Sequence, residues 1–161
     1  MLRISVAPSG STAIVKMSGS VEASDATTTF TFMKEIVLEK FNDVLVDLSE
    51  CADMDSTLMG TLLVMHERHK RKKGKFCLIN VGLDNKRALR LLGVPKVVPL
   101  RQMKLEKTPK FVPVDLRDFR GKPKDRIKVL QVAHQALVHA DQENAKRFGS
   151  FLSLLEAELA C

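Results

Sequence analysis

Residues 44–65 constrain this chain more than any other stretch. Val44-Leu45-Val46-Asp47-Leu48 is apolar at nearly every position, the pattern of a strand covered on both faces. A short acidic loop follows, from Glu50 to Asp55, and then Ser56-Thr57-Leu58-Met59-Gly60-Thr61-Leu62-Leu63-Val64-Met65. That last run reads as a helix apolar all round for three turns, so it is expected to be buried rather than docked by one face. The strand and helix together predict the centre of a layered α/β domain. Ser56, at the start of the helix, has two uses. It can cap the helix, a role worth about 1 kcal/mol, or it can receive a phosphate.

The flanking segments supply the rest of the layers. Residues 2–6 and 13–17 read as two short strands joined by a turn at Pro8-Ser9-Gly10-Ser11, a hairpin expected to end at Gly19. Ser24 or Asp25 can cap a helix running to about Phe41, with Phe30, Phe32, Met33, Ile36, Val37 and Phe41 on its apolar face. Past Met65 the central helix turns basic, His66-Glu67-Arg68-His69-Lys70-Arg71-Lys72-Lys73, and Gly74 closes it, as the helix dipole and a C-terminal cap favour. Residues 76–81 are the next strand. Asp84 or Asn85 starts a short helix with Ala88, Leu91 and Leu92 inward, and residues 97–100 form a brief strand that Pro99 places at a sheet edge. The expected fold class is α/β, a small mixed β-sheet covered by helices.

Three segments are expected: residues 1–104 as the α/β domain, 105–124 as a basic, proline-containing linker or strap, and 125–161 as a helical hairpin. Phe111, Val112, Val114 and Phe119 are candidate anchors of the strap. In the hairpin, Ile127, Leu130, Ala133, Leu137 and Val138 mark one helix, Asp141 a cap, and Ala145, Phe148, Phe151, Leu152, Leu155 and Leu159 the other. Alone it has too little core, so it must pack on the domain or on another chain.

The net charge of +7 is unevenly placed. Residues 1–65 carry −5, residues 66–130 carry +14 and residues 131–161 carry −2. His66 to Lys75 with Lys86, Arg87 and Arg90 could form one positive patch for nucleic acid or an anionic surface. The scarcity of aromatic residues for stacking bases argues against nucleic acid. Cys51, Cys77 and Cys161 are widely spaced with no CxxC pair, so no metal site is expected from them. His66 and His69 lack metalloprotease spacing, His134 and His139 are five apart, and neither a phosphate-cradling glycine loop nor a nucleophile elbow occurs. No catalysis, no catalytic residues and no cofactor are expected. No apolar run approaches the roughly 18 residues of a membrane span, and the N-terminus lacks the pattern of a signal peptide, which predicts a cytoplasmic protein.

The chain from Leu2 to about Leu100 resembles the STAS domain, the fold of anti-sigma factor antagonists. The likeness rests on Met17-Ser18-Gly19-Ser20-Val21-Glu22, on Val44-Leu45-Val46-Asp47-Leu48-Ser49, and on Met54-Asp55-Ser56-Thr57-Leu58-Met59-Gly60. Leu78-Ile79-Asn80-Val81, Leu91-Leu92-Gly93-Val94 and Val98-Pro99-Leu100 complete it in the same order. The resemblance implies that Ser56 is the phosphorylation site of a signalling protein acting on transcription. It further implies a protein–protein interaction with an anti-sigma factor that is also a serine protein kinase. Thr57 falls where many members carry a second hydroxyl, and the commonest motif has Gly where this chain has Leu58. Glu22, Asp25, Asp53, Asp55, Thr57 and Leu58 are the candidate partner contacts. The alternatives are the basic patch as a binding surface, or a scaffold or transport-associated STAS module without the switch. A homodimer through the hairpin is a further candidate assembly.

Overall fold

Val44 and Val46 are shut off from solvent because β3 (Asp43–Asp47) lies between two parallel neighbours, β2 (Thr12–Ser20) and β5 (Phe76–Ile79). The computed structural model describes residues 1–105 and 109–160. Within them the sheet runs β6–β5–β3–β2–β1–β7, with β1 (Arg3–Ser9) antiparallel to β2, β6 (Leu100–Arg101) at one edge beside β5, and β7 (Val112–Pro113) at the other beside β1. The hairpin turn is two residues, Gly10 and Ser11, tighter than expected. Gly10 supplies the positive φ that such turns need.

β2 does not end at Gly19. The chain continues through a left-handed backbone there and shifts register to pair with β4 (Cys51–Asp53). A side chain at Gly19 would collide with the Met1 carbonyl, so the residue allows a kink and a close approach together. The expected acidic loop thus contains a short strand. Three residues give too little alternation to show in a sequence.

The first helix, α1 (Asp25–Phe32), widens into a π turn over Met33–Leu38 that carries Met33 and Val37 into the core. Ser24 makes no side-chain cap. Asp25 accepts instead from the backbone N–H of Glu22. α3 (Leu83–Leu91) buries Leu89, with Leu92 just past its end, and leaves Leu91 63% exposed, correcting the expected inward face by part of a turn. Residues 97–99 are not strand: a 3-10 turn over Val94–Lys96 precedes β6.

The segment after β6 is a strap rather than a free linker. β7 (Val112–Pro113) pairs with β1 and closes the other sheet edge. A 3-10 turn at Leu116–Phe119 sets the Phe119 ring edge-on against Phe32, centroids 5.4 Å apart. Phe111 lies beneath the Lys16 ammonium, and Val114 packs on the core, while Val112 faces outward. The hairpin follows as α4 (Pro123–Ala140) and α5 (Asn144–Ala160). α4 lies along α2 (Ser56–Arg71), adding Val129 and Leu137 to the same apolar core as the sheet. The hairpin therefore uses its apolar seam on its own domain. Asn144 pins the turn: its buried amide donates to the Leu92 and Leu137 carbonyls, each at 2.8 Å, and Asp141 accepts from Lys96.

Candidate functional site

The first turn of α2 is built by Asp55, not by Ser56. Asp55 is the N-cap, its carboxylate accepting from the Leu58 N–H at 2.8 Å. Burial pushes the Asp55 carboxyl above its ordinary range, against the pull of that hydrogen bond. Ser56 is the first residue inside the helix, and its hydroxyl is free of capping. That hydroxyl meets α4: Ser56 Oγ lies 2.9 Å from His134 Nε2. His134 Nδ1 sits 2.7 Å from the Leu130 carbonyl. A carbonyl only accepts, so Nδ1 carries the proton, and Nε2 of the neutral ring accepts from the serine hydroxyl. The ring is 3% exposed and takes the edges or faces of Phe148 and Phe151, each centroid 4.9 Å away.

One turn further on, Gly60 lets the two helices touch. A Cβ there would overlap the backbone of Ala133, so α4 crosses α2 at the one position without a side chain. Glycine and alanine face each other and bring His134 within reach of Ser56.

The sequence pattern of the whole front of the chain matches one family model, that of the STAS domain, over residues 3–108. The chain belongs to the STAS domain family. Among solved structures, this STAS domain is similar to the anti-sigma factor antagonist SpoIIAA in its unphosphorylated form. The TM-score is 0.57 at 11% identity, covering 64% of this chain and 90% of that one. The phosphorylated form of the Bacillus cell fate determinant SpoIIAA aligns with a TM-score of 0.54 at 11% identity, covering 64% and 93%. An anti-sigma factor antagonist from Mycobacterium paratuberculosis aligns with a TM-score of 0.57 at 21% identity, covering 63% and 86%. No curated protein matches the chain.

The STAS fold gathers some of the expected contact residues and buries others. Asp25 and Asp55 line one small cavity with Val21, Thr29 and Leu58. Asp53 accepts from the Val21 N–H and is exposed, and Glu22 is exposed beside the N-terminal ammonium. Thr57 and Leu58 are 6% and 3% exposed, so in this conformation they are packing residues. The side chain at 58 is large because it fills core. Glu50 leaves the acidic group altogether, pairing with Lys16 at 3.1 Å and accepting from the Ser18 hydroxyl. Ser56, Glu22, Asp25, Asp53 and Asp55 remain as the candidate site.

The basic run is only partly a charged surface. His69 is fully buried, its Nδ1 beside the Asn42 carbonyl, and Lys72 donates to the carbonyls of Leu38 and Phe41. Arg71 pairs with Glu67, and Arg68 lies over the Phe30 ring. Lys73, not Gly74, takes the left-handed conformation at the helix end. Gly74 is needed because a Cβ would strike the Asn42 carbonyl. Among the described residues no group of three or more His, Cys, Asp or Glu could hold a metal, and no helix is long and apolar enough to cross a membrane. Neither Ser56 nor His134 lines either of the two large clefts.

His134 is the neighbour of Ser56 that sequence reasoning missed. Its partner is 78 residues away. The available signals were a histidine on the same face as Val129, Ala133 and Leu137, and a glycine in a helix otherwise buried all round. Burial lowers the pKa of His134, His69 and His66 below the ordinary 6.5. For a group with a depressed histidine pKa, the unfolded chain binds the extra proton. Stability from these groups is thus complete above about pH 6.5 and is lost as pH falls through the lowered values. Asp55, with its raised pKa, acts in the opposite sense, but in the window that opens above 3.8. Thermal melts at about pH 7.5 and about pH 5.5 should show the lower midpoint at the acid value. The dependence should become shallower in His134→Gln, and an unchanged or higher midpoint in acid contradicts it.

Proposed function

We propose that this protein is a non-catalytic signalling module of the anti-sigma factor antagonist type. It binds an anti-sigma factor with serine-kinase activity through the surface around Ser56, and phosphorylation of Ser56 ends that binding. One observation carries the reading: the Ser56 hydroxyl is not used to cap α2, a task that Asp55 performs, and its hydrogen-bond partner is a side chain, His134 Nε2, rather than the helix backbone. Glu22, Asp25, Asp53 and Asp55 form the acidic rim that a basic partner surface meets. Thr57 and Leu58 act from below by seating the helix. That a relative, SpoIIAA, exists in unphosphorylated and phosphorylated forms supports a fold that tolerates phosphate.

In the modifying step Ser56 Oγ bonds to the γ-phosphorus of ATP held by the kinase. The bond to the β–γ bridging oxygen breaks, ADP leaves, and the hydroxyl proton passes to a kinase base. The product adds about −1.5 to −2 charge at a helix N-terminus, a place that favours anions by about 0.3–1 kcal/mol. The neighbouring carboxylates oppose it. The helix α2 by itself is therefore close to indifferent, whereas a partner on the acidic rim meets new bulk and more negative charge.

The test is intact-mass analysis and peptide mapping after incubating the full chain with ATP and a purified serine-kinase anti-sigma factor from the same genome. One phosphoryl group on Ser56, absent in Ser56→Ala, is expected. No phosphate, or a phosphate that persists in Ser56→Ala, contradicts the proposal.

A further inference from the structure

We infer that the α4–α5 hairpin is an intramolecular cover for the Ser56 surface, and that its docking and Ser56 phosphorylation exclude each other. The inference rests on Ser56 being the phosphoacceptor and adds the element that regulates it. Ser56 Oγ is occupied at 2.9 Å by His134 Nε2, and His134 is held from behind by the Leu130 carbonyl at 2.7 Å. The ring cannot back away, since Phe148 and Phe151 flank it. A kinase must surround a serine hydroxyl to align it with ATP, and α4 stands where the kinase would have to be. A phosphate on Oγ has no proton to offer Nε2. It would press a dianion against a buried neutral imidazole and the half-buried carboxylate of Asp55.

The hairpin is built to leave without unfolding the sheet. Its buried residues are few: Val129, Ala133, His134 and Leu137 from α4, with Asn144 and Leu155 from α5. α4 is not a strand of the sheet, and the strap that leads to it is tied separately to β1 and β2, through β7, the Val114 N–H on the Ile4 carbonyl and Phe111 beneath Lys16. The seam on α2 is close, with Val132, Ala136 and Ala140 partly buried beside these residues, so the open form is a minor one in the unmodified protein, reached by local opening rather than by unfolding of the sheet. When it opens, Ser56 and the Gly60 face of α2 are uncovered together. A partner kinase then captures the open form, and the phosphate it leaves stops α4 from returning.

The experiment uses the full chain carrying genetically encoded phosphoserine at position 56, so it does not depend on finding the kinase. Amide hydrogen exchange is compared with the unmodified protein and with Ser56→Ala. Exchange in α4 should be faster by well over tenfold in the phosphoserine protein, with β3 and β5 unchanged and Ser56→Ala faster than wild type by no more than about fivefold. Unchanged protection of α4 overturns the inference, as does a loss of protection throughout the sheet, which would mean that the hairpin cannot leave alone. Either result stands apart from the kinase assay, where failure would remove the switch itself.

Discussion

Gly60→Val is expected to detach α4 from α2 and to lower stability by about 2–4 kcal/mol. Overpacking a tight site costs about 1–3 kcal/mol and occasionally more, and here the obstacle is backbone, the Ala133 peptide, which cannot rotate aside. The loss has a ceiling, because the hairpin can come off. Val129 and Leu137 are the large apolar side chains that α4 buries fully, and each is worth about 1.5–3 kcal/mol before the cost of ordering the hairpin is subtracted. The variant should keep its sheet, melt at lower temperature and become protease-sensitive after residue 123. Gly149→Ala in α5 is the matching control, with nothing near its Cβ. It should be neutral or gain up to about 1 kcal/mol from helix propensity. A Gly60→Val protein as stable as wild type, with α4 still protected, would remove the close crossing on which the Ser56–His134 contact depends.

How legible this arrangement was from residues alone differed by length scale. The central strand, the buried helix after Ser56 and the turn into a basic helix end followed from runs of five or more residues with unmixed character. β4 and β7 did not, because strands of three and two residues carry no periodicity and exist only where a neighbour offers hydrogen bonds. The helical hairpin was readable, and so was its need for an apolar partner, but not which surface it covers. That choice is made by Gly60 meeting Ala133 and by the turn pinned at Asn144, contacts between residues far apart in the chain. Of the two uses left open for Ser56, the cap falls to Asp55. Asp55 and Ser56 are both good caps, and only the extended backbone at Asp55 decides between them. The exchange leaves the serine hydroxyl to His134. The acidic group around it proved smaller than the sequence implied because Glu50 turns back to Lys16.

The second large effect is on binding. Ser56→Asp places a fixed negative charge on the rim formed by Asp25, Asp53 and Asp55, where the proposed partner must bring positive charge. Mutual repulsion and an unpaired group at that contact amount to about 3 kcal/mol, or roughly a hundredfold in affinity. Ser56→Ala removes only the hydroxyl bonded to His134, a net contribution of about 1 kcal/mol to holding the hairpin down. It should bind as well as wild type or a few times more tightly. Titrating a serine-kinase anti-sigma factor with the full chain and these two variants is the most direct measurement. Ser56→Asp should bind roughly a hundredfold more weakly than wild type, and Ser56→Ala should not. Equal affinity for all three would contradict the proposed switch.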